Sequence, residues 1–338
     1  MPRLGVLGTL VWDTIRQRRS ADDSEDDSQH DPAEIQDWGG IGYSLAAFEA
    51  VRPPGWTQFP IVKVGHDLRG PADTHISSLA SAEVGGLQTV PEPNNRVTLY
   101  YEDQLRRCEH LSGGVPGWTI EELRPLTESC HALYVNFIAG WELDLETAMA
   151  LRDSFAGPIY ADIHSLMLSI GEDGVRRLRP LPRWREWLSC FDIVQVNEDE
   201  LRTLDEAAPA WETAAAVAAD GGRGENSYLR AVLVTLGGHG SAWSAAAADT
   251  RLADPPSGAE GVRMGCVGQA GGARRGDPTG CGDVWGMACF ARLLAGSTLE
   301  EAMQTANSLA GSNVTTQGAT GLAGILAGED SNRTSQIA

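Results

Sequence analysis

Lysine is almost absent from this chain: Lys63 is the only lysine among 26 lysine and arginine residues. A P-loop kinase needs a lysine in a Gly-Lys-Ser/Thr motif, and a protein kinase needs a strand lysine that pairs with phosphates. Lys63 lies in the strand-like stretch VKVG, which matches neither context. The first strand is also not followed by G-x-G-x-x-G, since it reads GVLGTL, so a Rossmann dehydrogenase is excluded as well.

Positive charge is scarce overall, and the formal net charge is −20. Broad nucleic-acid binding needs a cationic surface, so we expect no nucleic-acid partner and no anionic membrane surface as a partner. No apolar run approaches the ~20 residues that span a bilayer, and the start has no signal-peptide cleavage site. The sequence therefore predicts a cytoplasmic protein, in which an anionic substrate would be held by local charges, amides or a metal.

Paired cysteines are missing too. The six cysteines form no C-x-x-C motif, which excludes a zinc ribbon and a thioredoxin-like site. Scattered cysteines of this kind indicate reduced thiols in the cytosol.

Strand-like apolar segments alternate with helical ones along most of the chain. Near-continuous apolar strands between helices predict an α/β fold with a doubly wound, mostly parallel sheet covered on both faces. We predict a first strand over 4–13, helices over 72–82 and 209–220, and final helices over 280–295 and 298–313. The acidic run 22–31 indicates a solvated loop without chemistry, and residues 329–338 indicate a disordered tail.

Ligands bind at the carboxyl ends of the strands in such sheets. Six polar residues or glycines lie at the ends of five predicted strands or follow them at once: Asp13, Asn136, Asp162, His164, Asn197 and Gly237. Asn136 and the Asp162-x-His164 pair would then contact substrate or phosphate, or else serve turn chemistry and structural hydrogen bonding.

The segment GDPTGCGDVW places two glycines, Gly280 and Gly282, at the start of a helix. Free N–H groups and the helix dipole make such a start an anion site, and glycines allow a phosphate to approach closely. An acid there, Asp283, would repel the anion, but it is well placed to accept a proton from an attacking alcohol. The local chemistry suggests phosphoryl transfer to a hydroxyl; the alternative is a first-turn acid that only complements the dipole.

This segment resembles the D-x-T-G-x-G-D signature of the ribokinase-like (PfkB) carbohydrate kinases. Five further segments resemble motifs of that family in the family's order: VLGTLVWD, WGGIGYSLAA, VKVGHDLRG, NEDE and VTLGGHG. The resemblance extends to about residue 325. It implies one kinase domain over 1–328, with a small β lid formed by segments 14–38 and 94–112.

The resemblance also implies roles for single residues. Asp283 would be the general base, and the amides of Gly280, Cys281 and Gly282 would hold the transferring phosphoryl group. Asn197 and Glu200 would organise Mg²⁺ through water and the phosphates. The residues that would bind the nucleotide, ATP, are Thr235, Gly237, Gly240, Asp277 and Thr279, with Asn307 and Gly318 near the adenine.

On the acceptor side, the resemblance assigns Asp13, Gly39 and Gly40 to substrate binding, with Asn136 and Asp162 as further candidates. Ser44 departs from the family, which usually has asparagine there, so Ser44 either contacts the substrate or packs the helix. The acceptor is a sugar or a nucleoside, and the sequence leaves a homodimer and a monovalent-cation requirement open. The alternative function is a nucleotide- or sugar-binding pseudokinase on the same fold.

Overall fold

The computed structural model describes residues 1–17, 34–101, 107–204, 228–246, 262–269 and 276–337. The acidic run 22–31 and the predicted helix over 209–220 lie outside these ranges, as do the central parts of both predicted lid segments. No helix of the described residues is both long and apolar enough to cross a bilayer.

Fifteen strands lie in the described residues. In chain order they are β1 (Arg3–Gly8), β2 (Leu10–Gln17), β3 (Glu34–Gly40), β4 (Thr57–Gly65), β5 (Leu87–Val90), β6 (Arg96–Tyr101), β7 (Arg107–Ser112), β8 (Ala132–Asn136), β9 (Ile159–Asp162), β10 (Leu168–Ile170), β11 (Arg176–Leu178), β12 (Ile193–Asn197), β13 (Ala231–Thr235), β14 (Ser241–Ala246) and β15 (Val262–Val267).

Nine α-helices lie in the same part of the chain. They are α1 (Ile41–Val51), α2 (Arg69–Ser77), α3 (Ile120–Thr127), α4 (Leu145–Ser154), α5 (Trp184–Ser189), α6 (Glu198–Leu204), α7 (Cys281–Leu294), α8 (Leu299–Asn313) and α9 (Leu322–Ile337).

The large sheet has nine strands in the order β15-β14-β13-β12-β9-β8-β1-β4-β5. The seven strands from β13 to β5 are parallel, and β14 and β15 add an antiparallel edge. Successive strands of the parallel part are joined through helices, as parallel neighbours require. The predicted doubly wound, mostly parallel α/β fold is confirmed.

Both faces of this sheet are buried, and alternate residues of one strand enter different cores. In β1, Val6 belongs to the core that contains α1, α7 and α8, whereas Leu7 belongs to the core that contains α3, α4 and α5. In β8, Tyr134 and Val135 divide in the same way. Because both faces need apolar side chains, the strands appear in the sequence as continuous apolar runs.

A separate four-stranded sheet, which we call the lid, has the order β3-β2-β6-β7. Strands β2 and β6 are parallel, and the outer pairs are antiparallel. Its own small core contains Val11, Ile15, Val97, Leu99 and Leu111. The small β lid expected from the sequence is therefore present.

Two local boundaries differ from the predictions. The first predicted strand is two strands, because the chain leaves the large sheet at Thr9 and continues as β2 in the lid. Helix α2 spans 69–77 rather than 72–82. Helix α9 spans residues 322–337, a range that includes most of the predicted tail over 329–338. The division of the chain into a domain and a tail stays a prediction.

Candidate active site

A cavity of about 380 Å³ lies at the carboxyl ends of the parallel strands. Strands β2, β6 and β7 of the lid line one side, and the N-terminus of α7 lines another. Of the predicted site residues, thirteen line this cavity: Asp13, Gly40, Asn136, Asp162, His164, Asn197, Glu200, Thr235, Gly237, Thr279, Gly280, Gly282 and Asp283. Residues from both ends of the chain thus meet at one edge of the sheet.

The N-terminus of α7 is built by a turn that helix α8 holds in place. The Asp277 N–H donates to the Val314 carbonyl, and Asp277 Oδ1 accepts from the Thr279 N–H at 2.9 Å. Asn313 Nδ2 donates to the Thr279 carbonyl at 2.8 Å. Asp277 is therefore buried in the turn rather than exposed on the cavity wall.

Gly280 precedes α7 in the left-handed conformation, with φ of +73°. A Cβ at this position would also overlap with the ring of Tyr43, which packs directly beneath the turn. Both constraints require glycine. The Cys281 amide donates to the Pro278 carbonyl at 3.1 Å, so the turn itself uses one of the three amides that we assigned to the phosphoryl group. The Cys281 thiol donates to the Ala310 carbonyl.

Asp283 lies on the first turn of α7 and lines the cavity. Asn136 Nδ2 donates to Asp283 Oδ1 at 2.7 Å, and so fixes the direction of the carboxylate. The same amide donates to Ser44 Oγ at 3.2 Å. Ser44 is fully buried and not on the cavity wall, so its hydroxyl braces Asn136 in this structure.

Glu200 is 2% exposed and accepts several hydrogen bonds. The Asn197 N–H donates to Glu200 Oε2 at 2.8 Å, and Asn197 Nδ2 and His164 Nδ1 donate to Oε1. Burial lowers the pKa of His164, but the charge and the hydrogen bond of Glu200 outweigh it and raise that pKa to about 9. His164 is therefore protonated at neutral pH.

Asp162 lies at the end of β9, between these groups and Asp283. Burial raises the pKa of Asp162 to about 8, and the negative charges of Asp283 and Glu200 act in the same direction. Gln195 Nε2 donates to Asp162 Oδ2 at 2.9 Å and to the Gly282 carbonyl at 3.1 Å. Gln195 thereby links β9 to the first turn of α7.

Asp13 is 4% exposed and enters the cavity from the lid strand β2. A Cβ on Gly39 would overlap with the Asp13 carboxylate, so only glycine allows this close approach. Gly40, with φ of +58°, directly precedes α1 and lines the cavity. Gly39 itself supports the acid from behind.

Besides Asp277, three residues that were predicted to bind the nucleotide do not line the described cavity. Asn307 is 3% exposed; its Oδ1 accepts from Trp285 Nε1 at 2.7 Å and from Ser241 Oγ at 3.0 Å. Gly318 packs against the Asp37 carboxylate of the lid, and Gly240 packs against the Val267 carbonyl. In this structure Asn307, Gly318 and Gly240 serve the packing between secondary-structure elements.

The cavity-lining residues that were not predicted include Tyr43, Gln195, Glu109 and Arg176. Gln195 had a usable signal, because it is a polar residue inside the apolar strand segment FDIVQV. Glu109 and Arg176 come from polar surface-like segments, and only the tertiary structure brings them together.

The residues at this site suit a magnesium ion held through water and phosphate. Asp162, Glu200 and Asp283 offer carboxylate oxygens, the ligands that Mg²⁺ prefers. Burial and then the charges of Asp283 and Glu200 raise the pKa of Asp162, and a nearby cation would offset those charges. Among the described residues no three His, Cys, Asp or Glu side chains are grouped to hold an ion directly. Glu200 already accepts bonds at both of its oxygens, so it suits an indirect role.

Part of the chain matches a known protein family. Residues 171–323 match the family model described as pfkB family carbohydrate kinase. This range contains the NEDE, VTLGGHG and GDPTGCGDVW segments. No curated protein matches the chain.

Many solved structures match the chain over almost its full length. Ribokinase from Thermotoga maritima matches with a TM-score of 0.68 and 17% identity, covering 98% of this chain and 100% of its own. A putative ribokinase II from E. coli, in complex with ATP and Mg²⁺, matches with a TM-score of 0.68 and 18% identity, covering 99% and 100%.

A nucleoside kinase from Burkholderia thailandensis, in complex with inosine, matches with a TM-score of 0.68 and 14% identity, covering 99% of this chain and 97% of its own. At these identities the structures show the fold alone. Together, the fold and the family model confirm the predicted resemblance to the ribokinase-like (PfkB) kinases, and they support a kinase.

Proposed function

Starting from the ribokinase fold and the pfkB family match, we propose that this chain is an ATP-dependent kinase. It transfers the γ-phosphoryl group to a hydroxyl of a sugar or a nucleoside. This proposal rests on the position of Asp283. The residue lies on the cavity wall near Gly280 and Gly282, on the first turn of a 14-residue helix, and Asn136 donates a hydrogen bond to its carboxylate.

The donor assignment draws on the relatives and on local chemistry. A structural neighbour binds ATP and Mg²⁺, and the dipole of α7 favours negative charge at its N-terminus. Gly280 and Gly282 present a surface without side chains to a phosphate. Asn197 and Glu200 would hold Mg²⁺ through water, and the ion, when bound, supplies positive charge that this acidic protein lacks.

In the reaction, Asp13 and Gly40 hold the acceptor so that one hydroxyl points towards Asp283. Asp283 takes the proton as the hydroxyl oxygen forms a bond with the γ-phosphorus. The bond from that phosphorus to the bridging oxygen breaks, and its electron pair leaves with ADP. Asn136 keeps the carboxylate in place, and the start of α7 stabilises the charge on the moving group.

The test is a coupled assay of ADP release over a panel of sugars and nucleosides, with wild type and Asp283→Asn. We expect the variant to lose on the order of 10²–10⁴ in kcat, since it cannot take the proton. Asp199→Asn is the matched control, because Asp199 lies near the site in sequence but its side chain is 80% exposed.

Calorimetry of ATP binding separates the possible outcomes. ATP binding that persists in Asp283→Asn supports a purely chemical role for the carboxylate. Turnover of Asp283→Asn near that of wild type would refute the base assignment. ATP binding by the wild type without turnover of any acceptor would favour the non-catalytic binding protein instead.

A further inference from the structure

The inner face of the lid has an acid at each end of an apolar strip. In the β6–β7 pair, Leu99 lies opposite Glu109, and Val97 lies opposite Leu111. Side chains two residues apart share a face, so Val97, Leu99 and Glu109 point to the same side, and all three line the cavity. Glu109 is thus a charged residue on an otherwise apolar part of the lid.

Arg176 reaches Glu109 from a different element. It starts β11, in the β10–β11 hairpin (168–178), which docks on the outer strand of the lid. The Leu111 N–H donates to the Gly174 carbonyl at 3.2 Å, and His110 bridges to Val175. Arg176 Nη1 lies 3.5 Å from Glu109 Oε2, and the two side chains are only 5% and 13% exposed. This pair also lines the cavity.

The Glu109–Arg176 pair lies far from the acceptor acid Asp13. Asp13 pairs with Val97, which pairs with Leu111, so two strand spacings and two residues separate Asp13 from Glu109. At about 4.8 Å per strand and about 3.3 Å per residue, the two Cα atoms are about 12 Å apart. Val97 and Leu99 lie between Asp13 and Glu109 on this face of the lid.

We infer that Glu109 and Arg176 recognise the polar edge of a flat heterocyclic base, and that the acceptor is therefore a nucleoside rather than a free sugar. This inference rests on the proposed function. A free sugar has a hydroxyl on nearly every carbon, and against Val97 and Leu99 these would lose hydrogen bonds at a cost. In a nucleoside, the sugar hydroxyls contact Asp13 while the apolar face of the base packs against Val97 and Leu99.

The chemistry of the pair matches the edge of a base. A guanidinium donates to ring nitrogen and carbonyl acceptors of a base, and a carboxylate accepts from an amino group or a ring N–H. Glu109 would repel a phosphate or a carboxylate at the same place. The pair therefore selects a neutral partner that offers both a donor and an acceptor.

The experiment compares kcat/KM for ribose, ribose 5-phosphate, inosine, adenosine and cytidine in the ADP-release assay. We expect at least one nucleoside to exceed ribose by about tenfold or more. Arg176→Gln and Glu109→Gln should raise the KM for that nucleoside about 10- to 100-fold, with kcat and ATP affinity nearly unchanged. Arg177→Gln is the matched control: Arg177 is the next residue, is 56% exposed and pairs with Asp173.

Two results would overturn the inference: ribose or its phosphate used as well as every nucleoside, or an unchanged nucleoside KM in Arg176→Gln. If Arg176→Gln does not fold by circular dichroism, Arg176→Lys replaces it, since lysine keeps the charge but lacks the planar fork. If no acceptor releases ADP, the proposed function fails, and calorimetry with the same nucleosides decides this inference. Binding weakened by the Arg176 variant but not by Arg177→Gln supports it; no binding heat refutes it.

Discussion

At the scale of single residues, the candidate site concentrates negative charge that the protein only partly compensates. Asp162 has its pKa raised by burial and by the charges of Asp283 and Glu200. The protonated His164 offsets Glu200. Lys63, the only lysine, cannot help, because it is bound to Glu122 and the Gly117 carbonyl on another part of the molecule. A divalent cation that binds together with the nucleotide would neutralise the negative charge that remains at the site.

We predict that Glu200→Gln raises the Mg²⁺ concentration needed for half-maximal activity by about three- to tenfold, because an ion held through water loses one full charge nearby. A Mg²⁺ titration of ADP release at saturating ATP measures this. Glu198→Gln is the control, since Glu198 is on the same helix but pairs with Arg202 at the surface. Superimposable titration curves for wild type and Glu200→Gln would contradict the role of Glu200.

At the scale of elements, helix α1 shows how the acceptor glycines are positioned. The helix begins directly after Gly40 and is buried over most of its length. Near its end, Glu49 Oε2 accepts from the Ser81 N–H at 2.9 Å and from the Ser81 hydroxyl, and Arg52 pairs with Oε1. Burial raises the pKa of Glu49, but these hydrogen bonds and the Arg52 charge outweigh it, so the pKa is lowered overall.

A carboxylate whose pKa is lower in the folded than in the unfolded state stabilises the fold above its unfolded pKa, and this contribution is lost as the pH falls through the folded pKa. We therefore expect Glu49→Gln to lower the free energy of unfolding by about 0.5–1 kcal/mol at pH 7. The difference from wild type should vanish well below the usual glutamate pKa of about 4.3. Urea unfolding at pH 7 and at a pH well below the glutamate pKa measures this difference in the free energy of unfolding. Glu172→Gln, at an exposed position, is the control. An equal loss of stability at the two pH values would contradict this linkage.

The elements also show where periodicity misleads. Residues 4–13 are mostly apolar and predict one strand, yet β1 belongs to the large sheet and β2 to the lid. The Ile41 N–H donates to the Thr9 carbonyl at the break, and Thr9 Oγ1 donates to Glu142. Since both sheets bury their strands, the apolar pattern continues across the boundary.

At the scale of the whole molecule, a net charge of −20 opposes the approach of an anionic nucleotide. Salt screens charges that are more than about 10 Å apart at 0.1 M, while contacts inside the cavity are less affected. Long-range repulsion should therefore decrease with ionic strength, and local binding should remain.

We predict that the KM for MgATP falls about two- to fourfold between 20 and 200 mM tetramethylammonium chloride at constant free Mg²⁺. This salt avoids the confounding effect of a metal cation that could bind the protein. The KM of the uncharged acceptor serves as internal control and should stay constant. A rise in the KM for MgATP would mean that local positive charge, not the net charge, governs nucleotide binding.

By itself, the sequence determined the alternation of strands and helices and the mostly parallel sheet, and it singled out Asp283 as the candidate base, because apolar periodicity and the chemistry of glycine turns act within a few residues. Only the tertiary structure decided which side chains meet. Asn136 orients Asp283 across 147 positions, Tyr43 supports Gly280, and Arg176 reaches Glu109 across the edge of the lid. A parallel sheet brings together strand ends that are far apart in the chain, and the packing around each side chain then fixes its direction, which no local pattern records.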